Sequence, residues 1–185
     1  MAISTNDLKN GFVIDLDGEL VSVVSFQHVK PGKGGAFVRT KLKRLTDGNT
    51  FDKTFRAGEK VERVLTESKD MEFLYEDGDD LVLMDTENFE QISVGAAGVD
   101  NRDLLAPNSE VNVLFVRERP FRVELANFVE LEIARTDPGA KGDTVSNVTK
   151  PAEVETGATV NVPLFVNEGD RIRIDTRSRE YVTRA

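Results

Sequence analysis

The stretch "GFVIDLDGELVSVVSF", residues 11–26, decides how the rest of the chain is read. Gly11–Asp15 and Leu20–Phe26 alternate apolar and polar residues, the two-residue period of a strand with one buried face. Between them, Asp17-Gly18 is a dipeptide suited to a tight hairpin, whose favoured turn needs positive φ at both central residues. The stretch predicts two antiparallel strands and points to an all-β chain.

The same pattern continues outward. Ala36–Leu42 alternates and is followed by a turn at Asp47-Gly48-Asn49, and Thr50–Val64 has room for one or two further strands. Short strands at this spacing make a small barrel. The pattern restarts with Met71–Tyr75 and Leu81–Asp85 across Glu76-Asp77-Gly78-Asp79-Asp80, then Val111–Val116 and Phe121–Leu125. A third unit holds Phe128–Ile133, Thr159–Val166 and Asp170–Asp175. The expected domains are residues 1–64, 65–128 and 129–185. Each is small but able to fold. No proline-rich linker separates them, so they are expected to abut. Short helix signals lie at Glu87–Ile92 and Asn101–Leu105.

The chain has 185 residues and no cysteine, which excludes disulfides, thiolate zinc sites and cysteine nucleophiles. The N-terminus lacks a basic region followed by an apolar core. No apolar run approaches the roughly 20 residues that span a bilayer. A soluble, cytoplasmic protein with no membrane partner is expected. The net charge of -9 argues against indiscriminate nucleic-acid binding. The charge is uneven, however. Residues 1–64 hold 11 basic and 8 acidic side chains, a net of +3; residues 65–128 hold 5 and 15, a net of -10; residues 129–185 hold 8 and 10, a net of -2. Phe26–Leu45 contains Lys30, Lys33, Arg39, Lys41, Lys43 and Arg44 and no acid. Such asymmetry fits a partner that is polyanionic at one end only.

Inside that basic segment, Pro31-Gly32-Lys33-Gly34-Gly35 puts one lysine on a glycine-rich tip between two strands. Gly32, Gly34 and Gly35 permit positive φ and remove bulk. Lys33 is therefore expected to project into water. That suits contact with phosphate or modification by another enzyme, whereas Schiff-base chemistry needs a desolvated lysine. The plain alternative is a solubilising lysine on a hairpin turn. Arg39, Lys41 and Lys43 share one strand face, and a basic face beside a protruding loop resembles an RNA-backbone surface.

The other motifs are weaker. His28 is the only histidine, so a Ser-His-Asp relay would have to use it, with Ser25 as a candidate nucleophile; no nucleophile-elbow sequence accompanies it. His28 is read as structural or RNA-facing. The acids Glu76, Asp77, Asp79, Asp80 and Asp85 lack calcium-loop spacing and read as a solvated turn. Gly139-Ala140-Lys141-Gly142-Asp143-Thr144 lacks phosphate-loop spacing and reads as a long loop of the binding type. Arg171, Arg173, Arg177 and Arg179 form either a second basic strip or a charged edge strand. No catalytic group, metal ligand set or cofactor motif is expected.

Phe26-Gln27-His28-Val29-Lys30-Pro31-Gly32-Lys33-Gly34-Gly35-Ala36-Phe37-Val38-Arg39-Thr40-Lys41 closely resembles the signature of the bacterial translation elongation factor P family. The resemblance returns at Gly142-Asp143-Thr144, Lys150-Pro151-Ala152, Gly157–Asp170, Asp175-Thr176-Arg177, Glu180-Tyr181-Val182 and Arg184, and covers the whole chain. It implies three β-barrels, one SH3-like and two of OB type, in an L-shaped, tRNA-like arrangement. It also implies a monomer that binds both ribosomal subunits between the P and E sites, contacts P-site peptidyl-tRNA and rescues ribosomes stalled on consecutive prolines. Lys33 would approach the peptidyl-transferase centre; in many members the tip is extended by a modifying enzyme, which adds a lysine-modifying enzyme to the candidate partners. His28, Lys30, Arg39, Lys41, Lys43 and Arg44 would face RNA. The loop with Gly142, Asp143, Thr144 and Lys150 would lie near mRNA at the E site, with Val145-Ser146-Asn147-Val148-Thr149 standing where a glycine-rich stretch is expected. The ribosome would be the catalyst, not this chain.

Two other readings remain at this point. One is a small β-barrel hydrolase using His28 and carboxylates. The other is an SH3-like RNA-binding module acting elsewhere, which would not need Lys33 on a glycine tip.

Overall fold

The computed structural model describes residues 1–139 and 148–185. The regular structure of the described chain is almost entirely strand, arranged in three antiparallel sheets.

The first sheet has the order β1-β6-β2-β3-β4-β5. Its strands are β1 (Ala2–Ser4), β2 (Val13–Leu16), β3 (Glu19–Val29), β4 (Phe37–Arg44), β5 (Thr50–Arg56) and β6 (Lys60–Val64). The Asp17-Gly18 turn forms as expected, with φ of 53° and 93°. Alternation places Val21, Val23, Val38 and Leu42 inward, where they join Leu8, Ile14, Phe55 and Val61 in one core. Burial of these side chains is the main stabilising term of the sheet.

The second sheet has the order β11-β10-β7-β8-β9. It comprises β7 (Thr66–Asp77), β8 (Asp80–Asp85), β9 (Gln91–Gly95), β10 (Glu110–Val116) and β11 (Arg119–Leu125). The third, β14-β13-β12-β15-β16, comprises β12 (Phe128–Thr136), β13 (Thr149–Val154), β14 (Thr159–Pro163), β15 (Arg171–Asp175) and β16 (Glu180–Arg184). Met71, Phe73, Leu81, Leu83, Val111 and Val113 fill one core, and Leu131, Ile133, Val154, Val162, Ile172 and Ile174 another.

By contact the chain divides into two compact units, residues 1–67 with 116–119, and residues 68–115 with 120–185. Adjacent residues bind the second unit together: Leu104 enters the core of the third sheet and Leu105 that of the second. The same segment carries a polar junction. The Arg179 guanidinium donates twice to the Asp103 carboxylate, at 2.7 Å each, and once to Asn101 Oδ1 at 3.0 Å. The Asn101 amide donates to the Thr176 carbonyl, and Thr156 Oγ1 to the Asp103 carbonyl.

The helix expectations are corrected. Residues 86–90 form a turn, and Gln91 and Ile92 already belong to β9. Asp85 Oδ1 accepts from the Glu87 N–H at 2.8 Å and Asn88 Oδ1 from the Glu90 N–H at 2.9 Å. Such side-chain bonds compete with the helical ladder. Phe89 closes the turn at a φ of 62°. At 101–105 there is only one 3-10 turn, Arg102–Leu104. Strands β1, β9, β13 and β16 are absent from the sequence expectations; β1 has only three residues, and β13 alternates in burial through a buried Lys150 that reads as polar.

Candidate nucleic-acid interface

The candidate interface is built on the hairpin of β3 and β4. Their register runs from Val21↔Arg44 to Val29↔Phe37, with a bulge between Val23 and Ser25. The extra residue, Val24, is exposed. A bulge increases local twist and re-aims the strand beyond it. Past it β3, β4 and β5 run on together as a three-stranded arm that ends in residues 30–36.

At the tip, Gly34 has a φ of 104°, a region that favours glycine. A Cβ placed on Gly32, Gly34 or Gly35 would meet nothing within 4 Å. Pro31, Lys33 and Lys30 are exposed. Among the described residues, Lys33 makes no hydrogen bond and no ion pair, so its ammonium stands in water at the end of the arm.

The outer face of the arm is basic. Arg39, Lys41 and Lys43 are exposed while Val38, Thr40 and Leu42 point inward. Their cross-strand partners on β3 are Gln27, Ser25 and Ser22. On β5 the partners are Thr54, Asp52 and Thr50. One carboxylate, Asp52, thus stands beside three cations. Arg56, opposite Phe37, lies on the same face and adds a fourth. Sequence reading missed Arg56; the alternation Thr50, Asp52, Thr54, Arg56 was the available signal. Arg39 also sits over the Phe37 ring at 5.9 Å, within cation–π range.

Two of the basic-segment candidates lie elsewhere. His28 is paired with Val38, on the opposite face from Arg39, Lys41 and Lys43, and packs edge-on to Phe26 at 5.6 Å. Arg44 is engaged within the protein: its Nε is 2.6 Å from Glu19 Oε1 and its guanidinium covers the Phe51 ring at 4.8 Å.

In the third sheet, Gly142, Asp143 and Thr144 lie outside the described residues. The neck of their loop is visible. Lys150 is only 7% exposed and its Nζ donates to the Asp137 carbonyl at 2.5 Å. Thr136 Oγ1 donates to the Pro151 carbonyl at 3.0 Å. Gly139 lies so close to Leu164 that a Cβ would come within 2.5 Å of its carbonyl oxygen. Lys150 therefore holds the loop base from inside instead of presenting its charge to solvent.

The four C-terminal arginines do not form one strip. Arg171 donates to the Glu130 carbonyl, Arg173 lies 4.6 Å from the Phe128 ring, and Arg179 is held by Asp103. Arg177 makes two hydrogen bonds to Asp175, at 2.8 and 3.1 Å, and lowers that carboxyl to about 2. Asp103 is also lowered, chiefly by the Arg179 hydrogen bonds. The acidic residues 76–80 form the β7–β8 hairpin end. Among the described residues no group of His, Asp or Glu is placed to hold a metal ion, and no helix is long and apolar enough to cross a membrane.

Comparison with known proteins agrees with this architecture. Residues 4–61 match the elongation factor P (EF-P) KOW-like domain, residues 66–123 the elongation factor P OB domain, and residues 129–184 the elongation factor P C-terminal domain. Among solved structures, eukaryotic translation initiation factor 5A from Methanococcus jannaschii aligns with a TM-score of 0.52 at 23% identity, over 66% of this chain and 93% of that one, and shares the fold. Fold and domain matches together define the class: an all-β translation factor of KOW-like and OB domains. Elongation factor P of Coprothermobacter proteolyticus is 52% identical over 183 residues, 98% of both chains. That of Nitratidesulfovibrio vulgaris is 53% identical over 182 residues, again 98% of both. The chain belongs to the elongation factor P family.

Proposed function

We propose that this chain binds the ribosome between the P and E sites and promotes peptide-bond formation on ribosomes stalled at consecutive prolines. Its partners are both ribosomal subunits, P-site peptidyl-tRNA and E-site mRNA. It acts as a monomer with three domains, 1–64, 65–128 and 129–185. The observation that carries this reading is Lys33: one unpaired ammonium at the end of an arm whose outer face is cationic.

Proline is a constrained nucleophile, and a poorly placed peptidyl-tRNA slows its attack. A protein that holds the tRNA end in a reactive geometry accelerates the step through orientation, with no acid or base of its own. Arg39, Lys41, Lys43 and Arg56 supply phosphate contacts along the arm, and Lys33 adds charge and hydrogen-bond donors at its tip. The exposure of Lys33 also suits a lysine-modifying enzyme. The loop at 142–144, based on Lys150, faces the mRNA.

The test is synthesis of a proline-triplet peptide in a reconstituted bacterial translation system. Native protein is expected to accelerate synthesis at proline runs and not elsewhere, and Lys33→Ala to abolish the acceleration. Equal activity of the Lys33→Ala chain would sink the reading. The mass of native protein at Lys33 reports modification.

A further inference from the structure

The loop that carries Lys33 has no internal support. Among the described residues, Gly32–Gly35 make no hydrogen bond. The loop base is tied by the Val29–Phe37 pair of the β3–β4 ladder, by the Phe37–Arg56 pair of the β4–β5 ladder and by one strap just beyond that last pair. That strap is the Ala57 N–H, which donates to the Ala36 carbonyl at 3.0 Å.

Ala57 is a corner of a tight turn. The Glu59 N–H donates to the Arg56 carbonyl at 3.1 Å, and Gly58 has a φ of 79°. This is the pattern of a type II turn with Ala57 at its first central position. Thr5 grips both ends. Its N–H donates to the Glu59 carbonyl at 2.8 Å and its Oγ1 to the Arg56 carbonyl at 2.9 Å. Glu59 Oε2 closes the turn again by accepting from the Arg56 N–H at 3.0 Å. Thr5 is fully buried although polar, and β1, which precedes it, is paired with β6. Thr5, the turn, Ala57 and Ala36 thus form a continuous strut from the sheet edge to the loop base.

We infer that Thr5 and Ala57 are positioning residues for Lys33. The inference rests on the reading of Lys33 as the functional tip. A loop with three glycines has wide backbone freedom, and a group that acts by orientation needs a fixed base. The strut supplies that base at Ala36, where the loop backbone leaves the β4–β5 ladder.

The decisive variant is Ala57→Pro. Proline suits the first central position of this turn, and Arg56 before it is already extended in β5. The substitution therefore keeps the turn, deletes the donor and puts the ring Cδ toward the Ala36 carbonyl, so the strap must part. Thr5→Val removes the hydroxyl at nearly constant volume, and Thr5→Ser restores it. Backbone NMR order parameters should fall at Gly34–Ala36 in Ala57→Pro and Thr5→Val and stay at parent values at Val21 and Leu42. Ala57→Pro should keep the parent's melting temperature. At saturating factor, both variants should slow proline-run synthesis about fivefold, the scale of one lost hydrogen bond, with an unchanged half-saturation concentration. Thr5→Ser should recover both loop order and rate. Unchanged loop order in Ala57→Pro, or slowing that tracks melting temperature alone, overturns the inference. The order parameters involve no ribosome, so they decide the strut even if Lys33→Ala proves fully active and the tip reading fails.

Discussion

Single residues in this chain are informative where they break a local rule. Gly34 adopts a φ of 104° in open space, so an added Cβ meets strain but no neighbour. The loop has no internal hydrogen bonds to resist a change of backbone. Gly34→Ala should therefore leave the melting temperature nearly unaltered and reshape the tip, and proline-run synthesis should fall. Phe89 breaks the rule in the opposite sense. It is bulky, 70% exposed and held at a φ of 62°. Left-handed backbone disfavours such a side chain by about 1–2 kcal/mol. Phe89→Asn should raise unfolding stability by about 1 kcal/mol in urea titration. Lys150 was legible as a lysine beside a loop motif, but its burial was not. Its ammonium is held by a carbonyl thirteen residues away, and only the folded neck brings the two together.

At the scale of the element, alternation carries most of the information. It named β2, β3, β4, β7, β8, β10, β11, β12, β14 and β15, though β7 runs over Thr66–Asp77 where only Met71–Tyr75 alternates, β3 runs on to Val29, and β14 stops at Pro163. The cationic outer face of β4 was readable for the same reason. Two things on the arm were not. Arg56 joins that face through the pairing of β5 with β4. His28 leaves it because period two puts it on the other side, and the bulge after Val23 alters which residues of β3 stand opposite the cations. The face makes a graded prediction for RNA affinity against salt concentration. Arg39→Gln, Lys41→Gln and Arg56→Gln should each weaken binding and lower the log–log salt slope by about 1. Arg44→Gln should leave the slope in place and reduce stability, because its guanidinium is committed to Glu19 and Phe51.

For the whole molecule, charge and the second unit's polar junction set the behaviour. The net positive N-terminal segment holds the arm, while the acid excess lies in residues 65–128. Asp103 and Asp175 titrate below the ordinary aspartate range because arginines hold their charged forms. A carboxyl lowered on folding stabilises above its unfolded value and loses that contribution as pH falls through its folded one. The melting temperature should drop as pH falls from about 4 toward about 2. Asp103→Asn should be less stable than the parent at neutral pH, and the gap should narrow over the same acid range. Sequence alone determined the all-β class, most strands, the glycine tip and the family, because alternation, turn dipeptides and motif spacing are local and survive without a fold. Tertiary structure alone decided that Lys150 is buried, that Arg44 and Arg179 are held by carboxylates, and that hydrogen bonds from Thr5 and Ala57 meet at the turn and loop base beside the tip. Those facts depend on strands paired across long sequence separations, and a polar side chain's partner is whichever group the folded chain brings within hydrogen-bond reach.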